Sequence, residues 1–212
     1  MKGFFITFEG IEGSGKSTQV GLLGSRLKEE GYDIVVTREP GGTRIGEEIR
    51  SITHGRENVD LTAVTEAYLM AASRAQHVRE IIKPSLSEGK IVVCDRYIDS
   101  SLAYQGYGRQ LGEKEILELN KAALEGVMPD LTILLDVSCE TGFARRNGTD
   151  KIDRLDLQQK DFYERVYRGY HLLAKKFSDR YFVVDSSKEI EIVEGLIWER
   201  VEGKVGKNPK LR

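Results

Sequence analysis

Five short runs of mainly branched or aromatic apolar residues are spread along the chain: Phe4–Phe8, Asp33–Thr37, Ile91–Cys94, Leu131–Leu135 and Tyr181–Val184. They are nearly continuous rather than alternating, which predicts strands buried on both faces and therefore a parallel sheet. The stretches between them carry apolar residues three and four apart, the spacing of a helix with one buried face. Val20, Leu22, Leu23 and Leu27 predict a helix from Lys16 to Glu30, with Gly31 as its stop. Ile45, Ile49 and Ile52 predict a second helix, and a long third is expected from Thr62 to Leu86, kinked near Pro84. Further helices are expected between Glu113 and Leu124, Leu157 and Phe177, and Ile190 and Val201. Arg38–Glu39–Pro40–Gly41–Gly42 reads as a loop, because Pro40 and two glycines cannot continue a strand interior. The alternation predicts an α/β fold, a five-stranded parallel sheet with helices on both faces. No internal repeat interrupts it. Lys204–Arg212, basic and broken by glycine and proline, is expected to be a frayed, flexible tail.

The first strand runs into Gly10-Ile11-Glu12-Gly13-Ser14-Gly15-Lys16-Ser17-Thr18, the G-x-x-x-x-G-K-[ST] pattern of a phosphate-cradling loop. Its glycines allow a turn tight enough for successive N–H groups to point inward at phosphate oxygens. Lys16 can reach the β- and γ-phosphates, and the Ser17 hydroxyl is placed to ligate Mg²⁺. Strand, loop and helix N-terminus are in the required order, so a nucleoside triphosphate is the expected ligand and the fold is expected to be that of a P-loop NTPase.

A chain of 212 residues can bury this sheet and its helices as one domain, 1–212. Net charge is −2 with 31% charged residues, so no basic stripe for nucleic acid or membrane is expected. Cys94 and Cys139 are far apart and outside any C-x-x-C, which fits free thiols in a reducing cytoplasm. The N-terminal apolar run is the first strand rather than a cleavable signal, and no stretch is long enough to span a bilayer.

A GTPase would need D-x-x-G and N-K-x-D; the first is absent, and Asn120-Lys121-Ala122-Ala123 lacks the final aspartate. A kinase with a phosphorylated acceptor must instead hold two anions together, which calls for arginines from several loops. Arg38, Arg96 and Arg154 stand at loop ends, and Arg50 and Arg74 on helices.

Across nearly its whole length the chain resembles thymidylate kinase, the bacterial form in particular. The resemblance rests on the P-loop, Thr37–Thr43, Ala72-Ser73-Arg74, Cys94–Gly106, Met128–Val137 and Asp153-Arg154, with Asp95–Gln105 the most specific stretch. It implies transfer of the γ-phosphoryl group of ATP·Mg²⁺ to dTMP, giving dTDP for dTTP synthesis, by a homodimer. A deoxynucleoside kinase and a catalytically silent nucleotide-binding module are the alternatives.

The resemblance also implies roles. Glu12 sits where the family has an acid near the sugar 3′-OH and the metal, and Asp95 matches the metal-side aspartate, with Ser17. Arg96 resembles the arginine that grips the acceptor phosphate, Arg50 a second contact to it, and Arg74 the donor to thymine O4. Ser101 and Gln105 fall at the polar edge of the pyrimidine, and Glu39 within the substrate-side loop. Tyr104 matches a tyrosine beneath the deoxyribose that leaves no room for a 2′-OH.

Two departures stand out. Met70 replaces the usual stacking phenylalanine, which loosens the base pocket and its preference for thymine over uracil; a methionine–ring contact is worth roughly 0.3–1.5 kcal/mol. The lid, near 142–155, reads Ala144 to Arg154 with few arginines. Arg145 or Arg146 is the choice for the transition-state arginine, Lys151 is weaker, and Arg154 is expected to order the lid or bind on the adenine side. Gly148 is the expected hinge.

Overall fold

The computed structural model describes residues 3–146, 154 and 160–206. Its centre is a parallel sheet of β1 (Phe4–Glu9), β2 (Ile34–Arg38), β3 (Ile91–Asp95), β4 (Leu131–Asp136) and β5 (Tyr181–Asp185), in the order β2-β3-β1-β4-β5. Successive side chains leave opposite faces. Phe5, Val92 and Leu134 enter one core, and Ile6, Val93, Ile133 and Leu135 the other. That is why the strands read as unbroken apolar runs.

Helices cover both faces. On one, α1 (Lys16–Glu29) packs with α9 (Ile190–Val205), burying Leu23, Leu27, Ile197 and Val201. On the other lie α2 (Arg44–His54), α3 (Ala63–His77), α4 (Lys83–Ser87), α5 (Ile98–Ser101), α6 (Glu113–Leu124) and α8 (Lys160–Lys176). The short α7 (Cys139–Arg146) leads from β4 toward the P-loop.

The expected single helix from Thr62 to Leu86 is three pieces. Between α3 and α4 the coil widens into a π-helical segment, Val78–Ile82, and the Lys83 N–H reaches back five residues to Val78 O. Pro84 has no N–H and its ring crowds the preceding turn, so the ladder is re-registered just upstream. A second π-helical segment, Leu102–Gly108, continues α5. Its glycines and tyrosines lack the apolar spacing of a surface helix, so neither it nor α7 is evident in the sequence. α9 runs to Val205, so Lys204 is helical rather than frayed; 207–212 lie outside the described residues.

The register brings Arg38 and Phe8 level with Asp95, and Asp136 level with Asp185. Polar residues therefore collect at the carboxyl edge of the sheet, where ligands bind in open parallel sheets. One buried ion pair braces the other end. Arg180, just before β5, donates to both oxygens of fully buried Asp99 at 2.7 Å and to Thr132 of β4 at 2.5 Å. Removing one partner strands a buried charge, so Arg180→Ala should cost about 3–5 kcal/mol of unfolding free energy. Urea denaturation measures it; a loss under about 1 kcal/mol would mean the pair does not brace the sheet.

Candidate active site

The P-loop closes as its glycines allow. Gly13 and Gly15 have φ of 74° and 91°, left-handed values that glycine adopts without strain. Lys16 curls back into the loop, donating to Gly10 O (3.0 Å), Ile11 O (2.8 Å) and Ser14 Oγ (3.3 Å). Burial, and then the neighbouring Arg96 charge, lower its pKa to about 8. Ser17 Oγ donates to Asp95 Oδ2 at 3.0 Å, while Asp95 Oδ1 is buried with no hydrogen-bond partner among the described residues. A hydroxyl beside a carboxylate with an unused oxygen suits a hard cation.

Arg96 follows β3 with φ of 71°, a costly backbone state for a side chain of its size. Its guanidinium faces acceptors on every side. Nη1 donates to Gly10 O, Ser100 Oγ and Tyr170 Oη at 3.0–3.1 Å; Nη2 donates to Glu12 Oε1 at 2.8 Å and Tyr104 Oη at 3.2 Å. Tyr104 in turn donates to Glu12 Oε2 at 2.5 Å. Burial alone would raise the Glu12 pKa, but Arg96 and Lys16 hold it below the usual carboxylate range. Beneath this group lies Glu9, fully buried, accepting from Tyr97 N–H (2.9 Å), Ser100 Oγ (2.5 Å) and Tyr170 Oη (2.9 Å). Burial and nearby Asp99 raise its pKa to about 7.

A second pocket opens beside Arg96, lined by Glu39, Met70, Arg74, Ser101, Tyr104 and Gln105 among others. The one-turn spacing of Ser101, Tyr104 and Gln105 turns all three inward. Arg74 is buried, and each of its nitrogens already faces a protein acceptor. Nε and Nη2 lie 2.9 and 2.8 Å from Glu39, Nη2 also donates to Tyr97 O at 3.0 Å, and Nη1 donates to Ser101 Oγ at 3.1 Å and to Asn120. Glu39 is held again by His77 at 3.0 Å. Arg74 thus frames the pocket, and Ser101 Oγ, accepting from it, keeps its own proton to donate. Among the described residues, Glu12, Glu39, His54 and Arg96 line both this pocket and the P-loop cleft, so the two are one continuous channel.

Arg38, Arg50, Arg145 and Arg146 also line the cleft. Arg50 donates to Pro40 O at 3.1 Å, and Arg38 pairs with Glu47 at 2.9 Å. α7 reaches the cleft because glycines let two backbones touch: a Cβ on Gly13 would stand 2.1 Å from Gly142 O, and one on Gly142 2.6 Å from Glu12 O. Arg145 is held by Ser186 O (2.9 Å) and Ser187 O (3.4 Å). Arg154 is nearly fully buried, donating to Thr53 O at 3.0 Å and to Glu66 of α3; it packs beside the second pocket. Gly148, Lys151 and Asp153 lie outside the described residues.

Sequence reasoning missed Glu9, Ser100, Tyr170, Glu66 and Asn120. Glu9 had a readable signal, a lone carboxylate closing an otherwise apolar buried strand. Glu66 and Asn120 sit in helices whose patterns give no hint of what they face.

The family model described as thymidylate kinase matches residues 8–197. The chain is 46% identical over 195 residues to the thymidylate kinase of Geobacillus thermodenitrificans, covering 91% of this chain and 87% of that protein. It is 49% identical over 199 residues to that of Thermomicrobium roseum, covering 93% and 94%. The crystal structure of thymidylate kinase from Ehrlichia chaffeensis superposes with a TM-score of 0.78 at 36% identity, over 95% of this chain and 99% of that one. The chain belongs to the thymidylate kinase family.

Proposed function

We propose that the protein transfers the γ-phosphoryl group of ATP to dTMP, giving dTDP on the route to dTTP. The observation that carries this reading is the continuous channel with Arg96 and Glu12 at its middle. A triphosphate in the P-loop and a pyrimidine in the second pocket would bring their phosphates together there, between Arg38, Arg50 and Arg96. An unphosphorylated acceptor gives these arginines nothing to bind.

The P-loop N–H groups and Lys16 hold the β- and γ-phosphates, with Lys16 leaving its own loop carbonyls to do so. Mg²⁺ carried with ATP fits the Ser17–Asp95 corner, where an unused carboxylate oxygen is available. When bound, it neutralises charge building on the β- and γ-oxygens. Arg96 grips the acceptor phosphate, with the Ser100 and Tyr104 hydroxyls beside it in the same pocket. Glu12, kept ionised, accepts from the 3′-OH, and Tyr104 lies where a 2′-OH would have to fit. Ser101 donates to thymine O4, Gln105 faces N3, and Met70 covers the ring. An acceptor phosphate oxygen then attacks the γ-phosphorus in line and ADP leaves, with no covalent intermediate. Arg145 and Arg146 both line the cleft and are the lid candidates for the transferring group; Arg145 would have to leave the carbonyls of the loop after β5 to reach it.

The protein works in the cytoplasm, in keeping with free Cys94 and Cys139. No described helix is long and apolar enough to cross a membrane. It pairs with a second copy through α2 and α3, where Ile52, Val64 and Tyr68 are 44%, 52% and 62% exposed. Sedimentation should give twice the chain mass, and Tyr68→Glu should shift it toward the monomer.

The deciding assay is ADP release with ATP·Mg²⁺ against thymidine, dTMP, dUMP, UMP, dCMP and dGMP. dTMP should lead by orders of magnitude, with UMP nearly inert. Thymidine ahead of dTMP would mean a nucleoside kinase, and ATP binding without turnover a silent module. In the same assay Arg145→Ala or Arg146→Ala should lower kcat on dTMP by about 10³ or more.

Lys16 supplies an independent check. At about pH 8.5, above its pKa of about 8, most of the free protein holds Lys16 neutral, and triphosphate anions restore its charge. Calorimetry in buffers of different ionisation enthalpy should therefore record proton uptake on ATP binding. Lys16→Met should abolish that uptake; unchanged uptake in the variant would assign the proton elsewhere.

A further inference from the structure

Glu66 touches neither the P-loop nor Arg96, yet it is a fully buried carboxylate on α3 behind the second pocket. Four donors converge on it. Arg109 donates through Nε (3.4 Å) and Nη2 (3.0 Å), Arg154 through Nη2, and Gln105 through Nε2 at 2.8 Å. Burial alone would favour the protonated acid, but the two guanidinium groups hold its pKa below the usual carboxylate range. An ionised carboxylate only accepts hydrogen bonds.

That one-sidedness fixes the amide of Gln105. A glutamine end group is nearly symmetric in shape and can turn over, exchanging a donor for an acceptor. Turned over here, its Oε1 would face a carboxylate in a buried site, with no proton between them. Nε2 therefore faces Glu66 and Oε1 is left for the pocket, where it accepts no hydrogen bond from the described residues. A carbonyl oxygen presented to a pyrimidine edge takes the N3–H of thymine or uracil. It repels cytosine, whose N3 carries a lone pair.

We infer that Glu66 is a positioning residue for base selection: by locking the Gln105 amide with its oxygen inward, it makes the pocket accept thymine-type and refuse cytosine-type bases. The inference rests on the dTMP kinase reading. Ser101 adds a second filter, since its available proton suits thymine O4 and not the cytosine 4-amino group. Loss of the Glu66 lock should therefore relax selection without abolishing it.

The test is kcat/KM for dTMP and dCMP in wild type, Glu66→Gln, Gln105→Leu and the double variant. A glutamine at 66 can donate as well as accept, so the Gln105 amide is free to turn. The dTMP-to-dCMP ratio should fall by about tenfold or more in Glu66→Gln, with the KM for ATP unchanged. The fall should be similar in Gln105→Leu and no larger in the double variant, because both changes remove the same acceptor. A purely structural role for Glu66 would lower both substrates together and leave the ratio alone, which overturns the inference. If Glu66→Gln does not fold, Gln105→Leu decides: an undiminished ratio there overturns it as well. Failure of the wild type to prefer dTMP over thymidine would instead remove the underlying reading, whatever the variants do.

Discussion

The largely buried guanidinium of Arg96 is the constraint around which the rest of the site is arranged. A permanent cation largely out of water needs acceptors in every direction it can donate, and the chain brings them from three places. Gly10 and Glu12 come from the P-loop, Ser100 and Tyr104 from the helical stretch after β3, and Tyr170 from α8. Its backbone carries a left-handed φ, so the position is held by its surroundings rather than by local preference. Anything that moved these elements independently would strand the charge. Arg96 therefore ties the P-loop, the stretch after β3 and α8 together at the middle of the channel.

The same cation sets the charges of its neighbours. Arg96 keeps Glu12 ionised, and together with burial it makes protonation of Lys16 harder. Lys16 therefore gives up its proton more readily than an ordinary lysine, and ligand anions beside it would restore its hold on that proton. Glu9 faces the opposite balance: burial and Asp99 outweigh the Arg96 attraction, leaving a carboxyl that is protonated for part of the time near neutral pH. Three ionisable groups within one small volume are pushed in different directions by one guanidinium and the lack of water.

Much of this was legible in the sequence, and for identifiable reasons. The strands were readable because two-sided burial leaves no polar alternation, and the P-loop because its backbone needs glycine at fixed positions. Arg96, Tyr104 and Ser101 were reached through resemblance and do fall at the channel. What stayed hidden depends on contacts between distant segments. Pro84 pointed to a kink but not to the wider coil upstream. The place of Arg154 depends on Glu66, 88 positions away, and no local pattern joins the two. The saturation of Arg74 was equally out of reach, since Glu39, the Tyr97–Ser101 stretch and Asn120 come from three separate parts of the chain.

That saturation explains how one channel can treat the two ends of a nucleotide differently. Among the described residues, the P-loop cleft is lined by Lys16, Arg38, Arg50, Arg96, Arg145 and Arg146 against the carboxylates Glu12, Glu39 and Asp95, so positive charge is in excess there. In the second pocket the charge of Arg74 is matched by Glu39 and its nitrogens are already occupied, so little net attraction is left for an anion. On the function proposed above, a nucleotide entering base-first would meet Ser101 and Gln105 and leave its phosphate among the arginines. Entering phosphate-first, it would place a dianion against the Met70 side and a neutral base among the excess cations of the cleft. Orientation follows from how the charges are distributed along the channel, before any residue acts on the reacting atoms.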